Sequence, residues 1–354
     1  MNGAGPDRGP DFVVLTGFLG SGKTTLLRDY LTGPEAADTA VIVNEAGEIN
    51  LDGVILREEG GDTPIALLSN GCICCQAGSD LGYTIDRLLT TERPGATGPL
   101  RRIVLETSGL SKPGPVLRQL AGLAEHRMRV SVLATFDATR GAAVADFEEA
   151  AAQWAAAQRI VVTKADAVSS ETLAQARVEA ASINPLAEIV AAADRQSAVA
   201  ASFSPLGNAA PMPAPSSTTA QPAHSRIAVR LARPITALAY DDLSTWLDNL
   251  TGALGERLLR LKGLVPVIGS ERPVLVQSVG TLFAAPRPFG SPDATTPAFV
   301  VIIARDLATG ELDAVAPAGL FTFSAWREPA TSPRAGALPP KLEPDALAKG
   351  VVSH

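Results

Sequence analysis

Gly17-Phe-Leu-Gly-Ser-Gly-Lys-Thr24 satisfies the pattern G-x-x-x-x-G-K-[ST], directly after the apolar run 12–15 and directly before a helical pattern. Nothing else in the chain limits its fold so tightly, because such a loop belongs between the end of a strand and the first turn of a helix. Its glycines let backbone N–H groups close around phosphate oxygens. The helix N-terminus adds partial positive charge, Lys23 reaches the outer phosphates and Thr24 can ligate magnesium. Gly17, Gly20, Ser21, Gly22, Lys23, Thr24 and Thr25 are the expected phosphate-binding residues.

The surrounding pattern agrees. From Asp11 to about Ala193, short apolar runs at 12–15, 40–43, 65–68, 103–105, 130–136, 160–162 and 189–190 alternate with helical patterns at 24–31, 80–90, 115–124, 142–157 and 170–182. This rhythm predicts an α/β domain over 11–195, a doubly wound and mostly parallel P-loop NTPase sheet covered by helices. Residues 196–222 are dominated by Ala, Pro and Ser, with Pro211, Pro213 and Pro215 against regular structure, so a linker is expected there. Strand-like runs at 227–231, 258–267, 274–279 and 299–303, with a helical pattern at 241–254, predict a smaller α+β domain over 223–328. Disordered or flexible tails are expected at 1–10 and 329–354. A chain of 354 residues has room for two such domains, each with a core of its own.

Composition excludes several partners. A net charge of -7, without any Lys/Arg run, leaves no basic field for a nucleic-acid backbone. No stretch approaches the ~20 apolar residues of a membrane span, and the first apolar run is too short for a signal-peptide core. A cytoplasmic protein is the expectation. All three cysteines, Cys72, Cys74 and Cys75, fall within four consecutive positions after a strand, and adjacent cysteines make a poor structural disulfide. Reduced thiols suit zinc, cobalt or copper(I), and three sulfurs leave a coordination position open for transfer. A redox pair or packed small hydrophobes is the alternative.

Two further strand ends carry chemistry. The run Ile103-Val-Leu-Glu106 ends in a carboxylate followed by Thr107, Ser108 and Gly109, the arrangement of a Walker B strand end. Glu106 can hold magnesium together with Thr24 or help position an attacking water, and Gly109 lets the backbone approach a γ-phosphate. Thr163-Lys164-Ala165-Asp166 follows another strand and is similar to the Asn-Lys-x-Asp guanine-recognition motif. Asp166 can accept from guanine N1–H and N2–H2 and the Lys164 stem can lie along the base, so GTP is expected over ATP. Thr163 in place of Asn puts one supporting hydrogen bond in question. Glu45, Glu48 and Asp52 are further acidic candidates for orienting water or holding a metal ion. Arg260 and Lys262 share a strand face that meets the first domain, a partner or solvent. Trp154, Trp246 and Trp326 are expected in cores.

Taken in order, these segments resemble the CobW family of GTPases, associated with metal trafficking and metallocofactor assembly. Residues 17–25 look like the family's G-F-L-G-x-G-K-T-T, 44–48 like N-E-F-G-E with Asp52 closing that segment, 71–75 like G-C-I-C-C, and 106–110 like E-T-T-G-L. Residues 163–166 match T/N-K-x-D, Ile183-Asn-Pro185 is similar to a segment near the base, and 260–263 look like R-x-K-G. Departures are Ala46 for Phe, Asn50 for Gly, and Ser111-Lys112-Pro113 for Ala-Asp-Pro. The chain lacks the histidine-rich stretch of zinc-linked members, having only His126, His224 and His354. One transition-metal ion per chain follows.

The resemblance implies a GTP hydrolase, catalysed by Lys23, Glu106 and Glu45. Mg-GTP turnover would be coupled to delivery of Zn2+ or Co2+, held by Cys72, Cys74 and Cys75, to a client metalloprotein or cofactor-biosynthesis enzyme. A metal-sensing regulatory module with negligible turnover, and a P-loop phosphotransferase acting on a small molecule, are the rival readings. Oligomeric state is left open, a nucleotide-dependent dimer among the options.

Overall fold

The apolar runs of the first 190 residues lack polar alternation, and a strand of that kind is stable only with both faces covered. The computed structural model, which describes residues 9–44, 65–67, 79–91, 98–206, 224, 226–289 and 298–326, places them accordingly. In chain order the first unit runs β1 (Asp11–Thr16), α1 (Lys23–Leu31), β2 (Thr39–Asn44), β3 (Ile65–Leu67), α2 (Ser79–Thr90), β4 (Arg102–Thr107), α3 (Pro113–Ala121), β5 (Arg129–Asp137), α4 (Glu148–Ala156), β6 (Arg159–Thr163), α5 (Ser170–Ile183), β7 (Glu188–Val190) and α6 (Arg195–Phe203).

Its seven strands form a parallel sheet in the order β3-β2-β4-β1-β5-β6-β7. The order reverses at β1, which has β4 on one edge and β5 on the other, and ligands of open α/β sheets bind outside the strand ends at such a point. Alternate residues serve the two faces. Phe12, Val14, Ile103 and Leu105 join one core, while Val13, Leu15, Val104 and Leu133 join the other.

The second unit runs β8 (Ile227–Pro234), α7 (Tyr240–Leu254), β9 (Leu258–Val265), β10 (Val274–Val279), β11 (Leu282–Phe283), β12 (Arg287–Pro288), β13 (Phe299–Arg305), α8 (Glu311–Val315) and β14 (Phe321–Ala325). It is an antiparallel sheet ordered β11-β10-β9-β13-β8-β14, with β12 on β10. One face packs on α7 through Trp246, Leu250 and Leu254. The other, with Val229, Leu259, Val301 and Ile303, joins the same core as Phe136 and Trp154 of the first unit. Each unit keeps a cluster of its own, beneath α7 in the second and around α1 in the first, and the two also share a third. Trp154, Trp246 and Trp326 are all buried, as expected.

Other differences have local causes. The single helix expected over 142–157 is broken at Phe147, whose extended backbone lets its ring stack on Phe18 of the phosphate-binding loop at 4.7 Å. A 3-10 turn, Gly141–Asp146, precedes the break and α4 follows it. The α3 helix starts at Pro113, where a missing N–H costs nothing, and ends earlier than expected. Residues 196–203, expected as linker, are helix: Asp194 caps α6 by accepting from Ser197 N, and Phe203 stacks on Tyr30 of α1 at 4.0 Å. None of the described helices is long and apolar enough to cross a membrane.

If α6 is an integral wall, Phe203→Ala, which empties a site only 3% exposed, should cost about 3 kcal/mol in urea unfolding. A cost below about 0.5 kcal/mol, the size of an ordinary surface change, would show that the helix is not docked.

Candidate functional site

The loop after β1 turns through Gly17, Gly20 and Gly22, whose φ values are 148°, 68° and 89°. At Gly17 the requirement is also one of space, since a Cβ there would lie 1.9 Å from Thr135 Oγ1. Ser21 Oγ and Thr135 Oγ1 are 2.6 Å apart, which ties the loop to β5. Lys23, 9% exposed, donates to Gly17 O at 2.8 Å and Phe18 O at 3.3 Å, so its ammonium lies inside the curl of the loop.

On the β4 side, Thr24 Oγ1 donates to Glu106 Oε1 at 2.6 Å. The contact follows from register: Leu15 pairs with Glu106 across β1 and β4, so the carboxylate emerges beside the start of α1. Both groups line a cleft of about 330 Å³, with Thr25 and Lys164 also on its wall. A hydroxyl and a carboxylate meeting at the lip of this cleft form a hard oxygen donor pair suited to magnesium. Asn44, at the end of β2 on the same cleft, is 2% exposed, and its amide finds no hydrogen-bond partner among the described residues. A buried amide of that kind points to a ligand group in the cleft.

Beyond Glu106, the chain passes so close to the loop that a Cβ on Gly109 would sit 2.7 Å from Leu19 N. Only glycine fits there. Gln153, wholly buried on α4, donates to Gly109 O and Ser111 O, each at 3.0 Å.

Thr163, Lys164 and Asp166 cluster at the end of β6, around a second cavity of about 220 Å³ that also takes in Gly22 and Thr25. Thr163 Oγ1 donates to Ser21 O at 2.7 Å, so the supporting bond put in question by the Thr-for-Asn change is present. Lys164 adopts the left-handed conformation at φ 55°, which costs about 1–2 kcal/mol for a residue with a side chain. Its Nζ donates to Asp137 Oδ2 at 2.6 Å. Asp166 is exposed on the cavity wall.

Several contributors went unforeseen. Asp137, 4% exposed at the end of β5, accepts from Lys164 and from Thr139 N and Oγ1. Burial alone would raise its carboxyl, but the bonds from Lys164 and Thr139 outweigh that and hold it below the ordinary carboxylate value. An acid ending an apolar run was the same signal that marked Glu106. Arg195 of α6, the last residue of the expected first domain, pairs with Asp29 of α1 on the rim of the second cavity. Arg140 donates to Leu19 O at 3.0 Å. Asn184, expected near the base, instead donates to Trp154 O, Ala155 O and Ala157 O at the end of α4.

Glu45, Glu48, Asp52, Cys72, Cys74 and Cys75 lie outside the described residues, and among the described residues no group of three or more His, Cys, Asp or Glu side chains is placed to hold a metal ion.

Replacing Asp137 by Asn should cost about 1–2 kcal/mol in urea unfolding at pH 7, the worth of charge-assisted hydrogen bonds with one partner half exposed. Because its folded pKa is depressed from 3.8, this stability is complete above the unfolded pKa and is lost as pH falls through the lower folded value. A pH-independent difference between the two proteins, followed from pH 7 to about 3, contradicts the assignment.

Comparison with known proteins bears on both halves. Residues 11–191 match the CobW/HypB/UreG nucleotide-binding domain, and residues 225–315 match the cobalamin synthesis protein cobW C-terminal domain. The chain is 30% identical over 293 residues to zinc chaperone YjiA of Escherichia coli strain K12, covering 78% of this chain and 89% of that one. It is 34% identical over 218 residues to zinc chaperone CobW of Pseudomonas aeruginosa, covering 51% and 56%. The crystal structure of Zn(II)-bound YjiA GTPase from E. coli shares the fold, with a TM-score of 0.63 at 22% identity over 87% of this chain and 98% of that chain. With a phosphate-binding loop, a strand-end carboxylate and both family domains in order, the chain belongs to the CobW family of P-loop GTPases.

Proposed function

We propose that this GTPase couples binding and hydrolysis of Mg-GTP to the capture and delivery of a transition-metal ion, zinc or cobalt, in the cytoplasm. The ion is cargo. Cys72, Cys74 and Cys75 are its expected ligands, because soft thiolates suit both metals and three leave a position for a recipient's ligand. The recipient on this reading is a client metalloprotein or a cofactor-biosynthesis enzyme. The names of the relatives, zinc chaperones in two bacteria, support the choice of cargo.

The observation that carries the nucleotide half is the Thr24 Oγ1 to Glu106 Oε1 contact of 2.6 Å beside the buried Lys23. Bound magnesium would neutralise charge on the outer phosphate oxygens. Lys23 would exchange the carbonyls of Gly17 and Phe18 for those oxygens, Thr24 and Glu106 would hold the cation, and the Gly109 N–H would face the γ-phosphate. Glu106 and Glu45 are the groups assigned to orienting the attacking water. Gly20, Ser21, Gly22 and Thr25 complete the phosphate cradle. Thr163, Lys164 and Asp166 serve the base, where an Asp carboxylate suits guanine and faces an acceptor in adenine.

Two measurements test the proposal. Asp166→Asn should lower GTP affinity at least about tenfold in calorimetric titration, the worth of a charge-assisted hydrogen bond; an unchanged affinity removes the base assignment. Zn2+ or Co2+ affinity should shift roughly fivefold or more between the apoprotein and the complex with a nonhydrolysable GTP analogue, with GTP affinity shifting by the same factor when metal is added. Equal metal affinities in the two states contradict the coupling.

A further inference from the structure

We infer that the second domain sets the rate of GTP hydrolysis through α4, with Gln153 as the positioning residue for the loop 106–112 and Arg260 as the contact that holds the helix. This rests on the reading above, in which Gly109 faces the γ-phosphate.

The second half of the helix is enclosed apart from the half-buried Ala152. Ala150, Ala151, Ala155 and Ala156 are fully buried and Trp154 is 2% exposed, so α4 lies between the parallel sheet and the second domain's sheet. A helix apolar all round belongs in such an interior. Its small side chains bring both sheets close to its backbone.

Three buried polar contacts leave this helix in three directions. Gln153 holds Gly109 O and Ser111 O. Trp154 Nε1 donates to Thr135 O at 2.9 Å, and Thr135 in turn meets Ser21 of the phosphate-binding loop. Arg260, on β9 of the second domain and 5% exposed, donates to Ala156 O, to Ala155 O at 3.1 Å and to Ala157 O at 3.3 Å. A guanidinium there supplies the cation that the helix C-terminus favours and adds donors to its last carbonyls, two of which, Ala155 O and Ala157 O, also accept from Asn184. Burial pushes Arg260 down to about 10, which leaves it charged at neutral pH.

An exposed route runs in parallel. Lys112, at the end of the same loop, pairs with Glu148 of α4 at 3.1 Å and with Glu256 of the second domain at 2.8 Å. Glu256 is 86% exposed, and a pair of that kind contributes little and is screened by salt. The buried contacts therefore carry the coupling. A loop that must meet a γ-phosphate is held by one helix, and the end of that helix is held by Arg260 of the other domain together with Asn184 of its own. Any partner that shifts the second domain's sheet moves Gln153 with it, and hydrolysis falls without loss of base or diphosphate contacts.

The test uses the full chain and its variants Gln153→Met, Arg260→Met, Arg260→Lys and the double Met variant, with single-turnover GTP hydrolysis and GDP affinity as readouts. Each Met variant should slow hydrolysis roughly tenfold or more, the cost of a misplaced reacting group, while GDP affinity stays within about twofold and so reports an intact nucleotide fold. Arg260→Lys should recover part of the rate. The double variant should be no slower than about threefold below the slower single one, because the two residues act along one route. A rate within about twofold of the unaltered protein for either Met variant, GDP affinity lost in proportion to rate, or rate losses that multiply would overturn the inference. Lys23→Ala separates this from failure of the underlying reading. If Lys23→Ala hydrolyses GTP normally, the site assignment fails. If it does not, yet the Met variants do, only the coupling fails.

Discussion

The structure turns on β1 being paired in parallel on both edges at the point where strand order reverses. The backbone groups of Asp11–Thr16 have ladder partners on β4 and β5, and its side chains are divided between two cores. Only its C-terminal end is left for chemistry. Register then decides which side chains meet there: Leu15 opposite Glu106 puts a carboxylate beside Thr24, and Thr16 opposite Ala134 puts Thr135 within reach of Ser21. The phosphate-binding loop is thus clamped from both sides by neighbouring strands, which is the preorganisation that electrostatic stabilisation of a transferring phosphoryl group requires.

A second dependence follows. Because α4 covers β5 on one side and the antiparallel sheet on the other, the two family domains are joined through a core, with polar contacts added at its edges. The interdomain contact differs in kind from the small polar interfaces usual between domains of one chain. Arg260 illustrates the balance of terms. Burying a guanidinium is costly, and three carbonyls at a helix end are among the few neutral groups that compensate it. Lys262, on the same face and half-buried, has its ammonium pushed down by burial first and by Arg260 second.

Sequence legibility followed the physics of each feature. The parallel sheet, the loop after β1, Glu106 and the residues after β6 were readable because each sits at the end of an apolar run, where a local pattern fixes location. Asp137 was readable on the same grounds and was missed, although it ends the apolar run at 130–136. The start of α6 also left a trace, Asp194 with Ser197 three residues on, but the Ala/Pro/Ser composition beyond it outweighed that cap. Gln153 left none, and Arg260 was marked only as a strand residue that meets the first domain, a partner or solvent. Their partners are backbone carbonyls 42 and 44 residues away for Gln153 and more than 100 residues away for Arg260, and a carbonyl has no sequence identity. Arg260 in an alternating strand reads equally well as solvated. Phe147 broke a helix for the sake of a ring contact with Phe18, a tertiary preference that outweighed local helix propensity.

The central claim is that Thr24 and Glu106 form one cation site that exists for the sake of a nucleotide. Manganese(II) can report on it directly by electron paramagnetic resonance, titrated into the protein with and without a nonhydrolysable GTP analogue. On the present account about one ion binds per chain only when the analogue is present, and Glu106→Gln or Thr24→Val weakens that binding at least about tenfold. Manganese binding that is indifferent to the nucleotide, or that survives both substitutions unchanged, contradicts it.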